Sequence, residues 1–580
     1  MRVEQVGDEL AYLVLHVRRD GHARQPRAVG RSDAAPGAGV AARCAGVDTP
    51  GMHLADWFLT PQERGNPAWK GPSWTEGNLA VPRVHGATYF DRLVDEVEAL
   101  QSGDHLFFTD WRGDPDQLMR PDGPTLSELF AGAARRGVVV KGLLWRSHSD
   151  DVGYSEQENR ELGDDVAEAG GEVLLDGRVR RAGSHHQKLV VLRHPGRPEL
   201  DVAFAGGIDL CHNRRDDASH AGDPQPLPMA QAYGPHPPWH DTQLELRGPV
   251  VGALDTVFRE RWTDPHPIDG RNIVAWVQDK LTSEDLDADP LPEQPPDPQP
   301  CGPAAVQVLR TYPRKRPPYP FAPRGERSIA RAYRKAVLRA RRLIYVEDQY
   351  MWSPQISELF ADALRDNPRL HLVVVVPRHA DVDGRLALPP NEIGRAQALE
   401  ICRKAAGDRV HVFDVENHAG TPVYVHAKVC VVDDVWATIG SDNFNRRSWS
   451  HDSELCCAVL DSTLDEREPR DPAGRGDGAR RYARELRLTL WREHMDLPAD
   501  GSKDDGLVDP EEAVRTIQEA ADELDAWHRR GRTGPRPPGR VRPHQPEEPG
   551  LLTRIWAEPV YRLVYDPDGR SFRAKLRGNW

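Results

Sequence analysis

The chain has 580 residues, 38% hydrophobic and 29% charged, which is the balance of a soluble globular protein too long for one ordinary core. A formal net charge of -14 argues against a protein that coats nucleic acid through general attraction to phosphates. Seven scattered cysteines without a CxxC pair support neither a disulfide framework nor a cysteine zinc site, so reduced buried thiols are expected.

The N-terminus MRVEQVGDELAYLVLHVRRD carries acids where a secretory signal needs a basic head and an apolar run, and nothing approaches the roughly twenty apolar residues of a membrane span. A cytoplasmic protein, at most peripheral to a membrane, is the expectation. Residues 1–75, rich in Gly, Arg, Pro and Asp, read as an irregular or partly disordered lead-in. A first unit then spans 76–285. Helices are predicted at TYFDRLVDEVEAL, TLSELFAGAARR and NRELGDDVAEAG, with strands at HLFFTD, GVVVKGLLW and KLVVL. Proline-rich stretches at 286–303 and 313–323 mark a linker over 286–323. A second unit, 324–500, repeats the rhythm: helices at SIARAYRKAVLRARR, ISELFADALRDN and IGRAQALEICRKA, and strands at LIYVED, LHLVVVV, VYVHAKVCVV and VWATIG. Residues 501–580 read as a helical segment, a Pro/Arg-rich linker and a tail. The fold class is therefore α/β: two homologous α/β/α halves with mixed, largely parallel sheets about a pseudo-twofold axis.

Each half delivers one short polar sequence against an apolar strand. The first is Ser184-His185-His186-Gln187-Lys188, followed by Gly206-Gly207-Ile208-Asp209; the second is Val425-His426-Ala427-Lys428, followed by Gly440-Ser441-Asp442-Asn443. On a strand of period two, His186 shares a face with Lys188 and His426 with Lys428. Both pairs are separated by 240 residues (426 − 186 and 428 − 188). One H-x-K is an exposed polar edge; two, at matched places before matched glycine turns, are a site.

These motifs resemble the phospholipase D superfamily, whose signature is HxKxxxxD followed by a G-[GS]-x-[ND] turn. The second copy fits in full, with His426, Lys428, Asp433, Gly440, Ser441 and Asn443, whereas the first has Arg193 at the place of the motif's Asp. RTYP, IYVEDQY, GGIDLC, PPWHD and RRS extend the resemblance over residues 76–495, toward the phosphatidylcholine-cleaving branch. The resemblance implies hydrolysis of a glycerophospholipid at a membrane surface to phosphatidic acid and free alcohol, through a phosphohistidine, with transfer to other alcohols by the same intermediate. Net acidity speaks against a nucleic-acid partner, and the two lysines and two imidazoles require no cofactor or metal in the chemistry; both motifs lie in one chain, so a monomer suffices. Rival readings are the same fold acting on nucleic acid or in synthesis of another phospholipid, and a phosphate- or lipid-binding protein with impaired turnover.

The chemistry accounts for the residue types. One neutral imidazole attacks phosphorus, while the other protonates the leaving alcohol and then deprotonates water. Lys188 and Lys428 hold the non-bridging oxygens, and Gly207, Asp209, Ser441 and Asn443 line the phosphate turns. By resemblance His186 is the nucleophile and His426 the acid/base, although sequence alone leaves the two interchangeable. An attacking imidazole must be held in one tautomer, and for this the resemblance points to carboxylates, Asp241 at His186 and Glu454 at His426. HDTQL (240–244) also parallels HDSEL (451–455), which sets Asp241 against Asp452 instead. Asp433 is expected to brace backbone, with Asp201 replacing it in the first copy. His212, His220, His236 and His240 lack helical spacing and matched acids, and read as loop residues. Trp111, Trp145, Trp239 and Trp352 serve either as core or as walls for a quaternary ammonium group.

Overall fold

The computed structural model describes residues 52–146, 156–268, 287–383, 388–546 and 550–577. Its strands in chain order are β1 (Thr75–Val84), β2 (His105–Asp110), β3 (Val139–Trp145), β4 (Glu172–Asp176), β5 (Leu189–Arg193), β6 (Val202–Gly206), β7 (Trp239–His240) and β8 (Thr242–Arg247) in the first half. The second half has β9 (Ala304–Tyr312), β10 (Glu326–Arg327), β11 (Leu343–Glu347), β12 (His371–Val375), β13 (Val410–Val415), β14 (Tyr424–Val425), β15 (Val429–Val432), β16 (Trp436–Gly440), β17 (Glu454–Asp461) and β18 (Val541–Pro543).

One continuous sheet crosses both halves. From its centre, β1-β8-β6-β5-β2-β3-β4 runs one way and β9-β17-β16-β15-β11-β12-β13-β18 the other, so the same order repeats about the β1–β9 pair. The two-half α/β fold is as expected, but the balance of strand directions is not. Within this sheet parallel pairing is confined to the outer strands β2-β3-β4 and β11-β12-β13, and the inner pairs are antiparallel. Sequence rhythm registers the helix-crossed parallel units and misses the antiparallel inner strands, which return through loops.

Alternate residues of one strand feed different cores. Val429 and Val431 point into a central layer with Leu189 and Val191, between the sheet and the helices Val250–Trp262 and Arg481–His494. Cys430 and Val432 join the helices Ser328–Arg339 and Pro354–Asp366, and Val190 and Leu192 join the helices Gly86–Glu98 and Leu126–Arg135. Burial on both faces explains why these strands read as unbroken apolar runs. A Thr125–Glu128 capping box starts the helix Leu126–Arg135, and Ser353 with Pro354 starts its counterpart, the helix Pro354–Asp366. Cys211, Cys402, Cys430, Cys456 and Cys457 are buried free thiols, Cys301 is exposed, and Cys44 lies outside the described residues.

Three boundaries shift. Most of the lead-in lies outside the described residues, but Trp57, Phe58 and Leu59 are buried against the second half and β1 already starts at Thr75. The expected linker 286–323 encloses β9, a fully buried strand at the middle of the sheet. In the expected tail, β18 extends the sheet beside β13. The proline-rich stretch before β9 follows the surface of the first half, where Arg193 donates to the carbonyls of Pro295 (2.9 Å) and Pro296 (2.8 Å).

Candidate active site

The two motifs lie at strand mouths rather than within one strand. β5 begins at Leu189 and β15 at Val429, so each H-x-K triplet precedes its ladder. The backbone before each motif crosses to the other half: β14 pairs with β7, setting Val425 opposite His240, and His185 bridges to Ser453. The His186 amide donates to the Ser453 carbonyl (2.9 Å) and the His426 amide to the His240 carbonyl (2.8 Å). These crossings make one site from two halves.

The crossings also decide the carboxylates. Glu454 Oε2 stands 2.9 Å from His186 Nδ1, and Asp241 Oδ2 stands 2.6 Å from His426 Nδ1. The expected assignment is thus exchanged: each imidazole is held by the carboxylate of the opposite half. The parallel with Asp452 is likewise displaced by two residues. Gln243 pairs with Gly206 as Cys456 pairs with Gly440, which sets Asp241 in register with Glu454. Asp452 accepts instead from the Ser184 amide and hydroxyl, and from Arg447.

A carboxyl oxygen accepting at Nδ1 puts the hydrogen there and leaves Nε2 of each histidine for chemistry. Burial and the Lys188 ammonium hold the His186 imidazole well below its ordinary pKa. Burial, then Lys428 and Arg214, do the same to His426. Burial pushes the Glu454 carboxyl up to about 8, against the hydroxyl of Ser441, which donates to Oε2 at 2.5 Å. Gly207 occupies the position matching Ser441, and a Cβ there would come within 2.3 Å of Asp241 Oδ1. The longer acid thus faces a serine, and the shorter one a residue without a side chain.

The lysines differ as well. Lys188 forms an ion pair with Asp209 (3.0 Å) and donates to the His186 carbonyl (3.0 Å). Lys428 donates to the His426 carbonyl and lies 3.4 Å from the amide oxygen of Gln349, and burial brings its pKa down to about 8. Asn443 matches Asp209 in register, and its Oδ1 is buried without a hydrogen-bond partner. Asp433 accepts from the amides of Arg341, Arg342 and Leu343 at 2.7–2.9 Å. It braces backbone, as expected. Asp201 does not take that place: it accepts from Arg193 Nε (2.7 Å) and the His194 amide (2.6 Å), and Arg193 also pairs with Asp255 (2.8 Å). The Asp-to-Arg departure is absorbed in a buried ion network away from the histidines.

Several contributors escaped the sequence reading. Asp110 accepts from the Leu210 amide (3.2 Å) and Asp348 from the Phe444 amide (3.0 Å), each steadying the glycine turn that follows one motif. Their signal was present, because HLFFTD and LIYVED both end in Asp. Gln349 and Arg214 had no such repeat to mark them. Trp111 lies edge-on to His186 with ring centres 6.4 Å apart and stacks on Trp145. Trp239 packs on His426 at 5.0 Å while Arg214 covers it at 4.0 Å, and Trp352 packs with Ile393 and Tyr561.

Comparison with known proteins places this geometry. A phospholipase D family model matches residues 116–288, and a model described as the phospholipase D-like domain of cardiolipin synthase matches residues 339–467. The chain belongs to the phospholipase D superfamily. It is a phosphodiesterase of that superfamily, with one matched region around each motif. Phospholipase D alpha 1 of Ricinus communis is 25% identical over 577 aligned positions, covering 76% of this chain and 68% of that protein. Phospholipase D alpha 2 of Oryza sativa is 26% identical with the same coverage. Among solved structures, phosphatidylserine synthase of Haemophilus influenzae aligns with 67% of this chain and 84% of its own, at 12% identity and a TM-score of 0.47.

Proposed function

We propose that this phosphodiesterase cleaves a glycerophospholipid, phosphatidylcholine first among them, to phosphatidic acid and free alcohol through a phosphohistidine on His186. The observation that carries the reading is the crossed pair His186–Glu454 and His426–Asp241, each beside a lysine. His186, uncharged at neutral pH, attacks phosphorus through Nε2, and the bond to the leaving alcohol breaks as His426 gives that oxygen a proton. A phosphodiester between Lys188 and Lys428 adds negative charge beside His426 and raises its proton affinity, which makes it competent as the acid. Water, deprotonated by the now neutral His426, then releases phosphatidate and restores His186.

A lipid surface is supported by the C-terminal segment. Leu551, Leu552 and Ile555 are exposed along one helix face, with Leu563, Phe572 and Leu576 beyond it. Residues 551–577 hold six basic side chains against three acidic ones in an otherwise acidic protein. Apolar side chains flanked by cations suit an anionic bilayer surface. The segment is tied to the chain just after Asn443, with Asp566 accepting from the Arg446 amide (2.6 Å) and Nε (2.8 Å).

Product analysis on a phospholipid panel, with and without ethanol, tests the reading. Phosphatidic acid should form without ethanol, and phosphatidylethanol should replace it as ethanol rises. Cleavage of nucleic acid or another phosphodiester, with every glycerophospholipid untouched, would overturn it. Replacing Leu552 and Ile555 by Asp should lower activity on anionic vesicles about tenfold or more and leave a soluble short-chain substrate unaffected.

A further inference from the structure

Two histidines expected in loops are buried in a cluster with an acid from far along the chain. His85, His220 and His240 converge on Glu493, which lies in the helix Arg481–His494 of the second half. His85 Nε2 is 2.6 Å from Glu493 Oε2, His220 Nε2 is 2.9 Å from Oε1, and His240 Nδ1 is 3.4 Å from Oε1. The three ring centres are 5.0, 5.2 and 5.6 Å apart. Three imidazoles bound to one tetrahedral zinc, with bonds of about 2.0–2.1 Å, hold their ring centres roughly 5 Å apart.

Two of the three nitrogens facing away have partners that suit the same purpose, while His85 Nδ1 is buried without one. His220 Nδ1 lies 3.1 Å from the Trp239 carbonyl, and His240 Nε2 lies 2.8 Å from Glu347. Glu347 is held in turn by Tyr345 and by His494 Nε2 (2.8 Å). Partners of this kind fix the tautomer that leaves the inner nitrogen as a metal ligand. His240 Nδ1, aimed at Glu493, is fully buried and has no hydrogen-bond partner. His85 and His220 both hold positive φ, at 69° and 53°, a strained backbone for residues other than glycine and one that recurs at ligand clamps.

We propose that His85, His220, His240 and Glu493 form a zinc site. Three nitrogens and a carboxylate oxygen match the donor preference of zinc. The histidines are buried and Glu493 is 11% exposed, so the site is closed and structural rather than open to substrate. Its place gives it a task. The His240 carbonyl accepts from the amides of His426 (2.8 Å) and Ala427 (3.2 Å), and the His85 amide donates to the Asp241 carbonyl (2.8 Å). The ion would lock together the segments that carry His426 and its carboxylate.

Metal analysis of the full chain, incubated with zinc and then freed of excess, should find about one equivalent per chain. The cobalt-loaded protein should show the intense visible bands of tetrahedral coordination. His220→Ala and Glu493→Ala should each lose the metal, whereas His236→Ala, outside the cluster, should keep it. Chelation of the wild type should lower Tm by several degrees, and zinc should restore it. Should either cluster variant fail to fold, the wild-type metal content and cobalt spectrum still decide. Well under one equivalent of zinc, a spectrum without tetrahedral bands, or a Tm indifferent to both zinc and chelator would overturn the site. The cluster would then be an imidazole–carboxylate network sharing protons.

Discussion

In the first half-site the lysine is answered by a carboxylate, Asp209; in the second, the matching turn offers Asn443 and the lysine faces the amide of Gln349. The backbone register is the same on both sides, yet the acids differ: Glu454 with Ser441 behind His186, and Asp241 against Gly207 behind His426. Behind His426, the residue whose carbonyl receives its amide is His240, a member of the histidine–glutamate cluster; the same place behind His186 is Ser453. In the proposed mechanism the two imidazoles have different duties, and what distinguishes them is their neighbours rather than the histidines themselves. A nucleophile is helped by staying neutral, and an acid needs an environment that accepts a cation when the phosphodiester arrives.

The largest test removes either imidazole. His186→Ala and His426→Ala should each lower turnover on a natural substrate by roughly four orders of magnitude, with unchanged circular dichroism. The comparison sharpens with an activated leaving group that needs no acid. His426→Asn should then accumulate a phosphoryl adduct on His186, recoverable in a base quench by mass spectrometry. An adduct on His426 in the reciprocal variant alone would reverse the duties.

Smaller effects should fall on the carboxylates, and unequally. Asp241→Asn should cost about a hundredfold or more in kcat, because the His426 imidazolium needs an anion behind it. Glu454→Gln should cost about tenfold, because a carboxyl raised by burial to about 8 is largely protonated at neutral pH and an amide resembles it. Equal losses, measured as kcat at saturating substrate, would contradict the division of labour.

Lys428 predicts a pH dependence of several-fold. Lys428 is charged below about pH 8 and loses its proton above it, so kcat/KM should fall as pH rises through that value. Gln349→Glu places an anion beside this ammonium and should move the limb to higher pH. A limb unmoved by that substitution would assign the titration to another group.

Least affected should be activity in Asp433→Ala. Three backbone amides lose their acceptor, which should destabilise the fold by about 1–3 kcal/mol. Turnover per folded molecule should stay within about threefold of wild type. A large loss in kcat at unchanged Tm would place Asp433 in the chemistry after all.

The sequence by itself determined the two halves, the H-x-K pairs, the glycine turns that follow them and the bracing role of Asp433. Each is local: an apolar run of period two, a glycine turn, a side chain reaching backbone close by in the fold. It did not determine which acid serves which histidine. That choice depends on a crossing between halves, where His186 meets Glu454 and His426 meets Asp241, and a two-residue difference in register is invisible until Gly206 and Gly440 are paired with their neighbours. It equally concealed β9, because the proline-rich segments on both sides gave a buried central strand the composition of a linker. His85, His220, His240 and Glu493 are spread over some four hundred residues, with no spacing to connect them. Only the tertiary structure brings them to one point, since contacts across a domain interface follow the geometry of packed elements and leave no period in the chain.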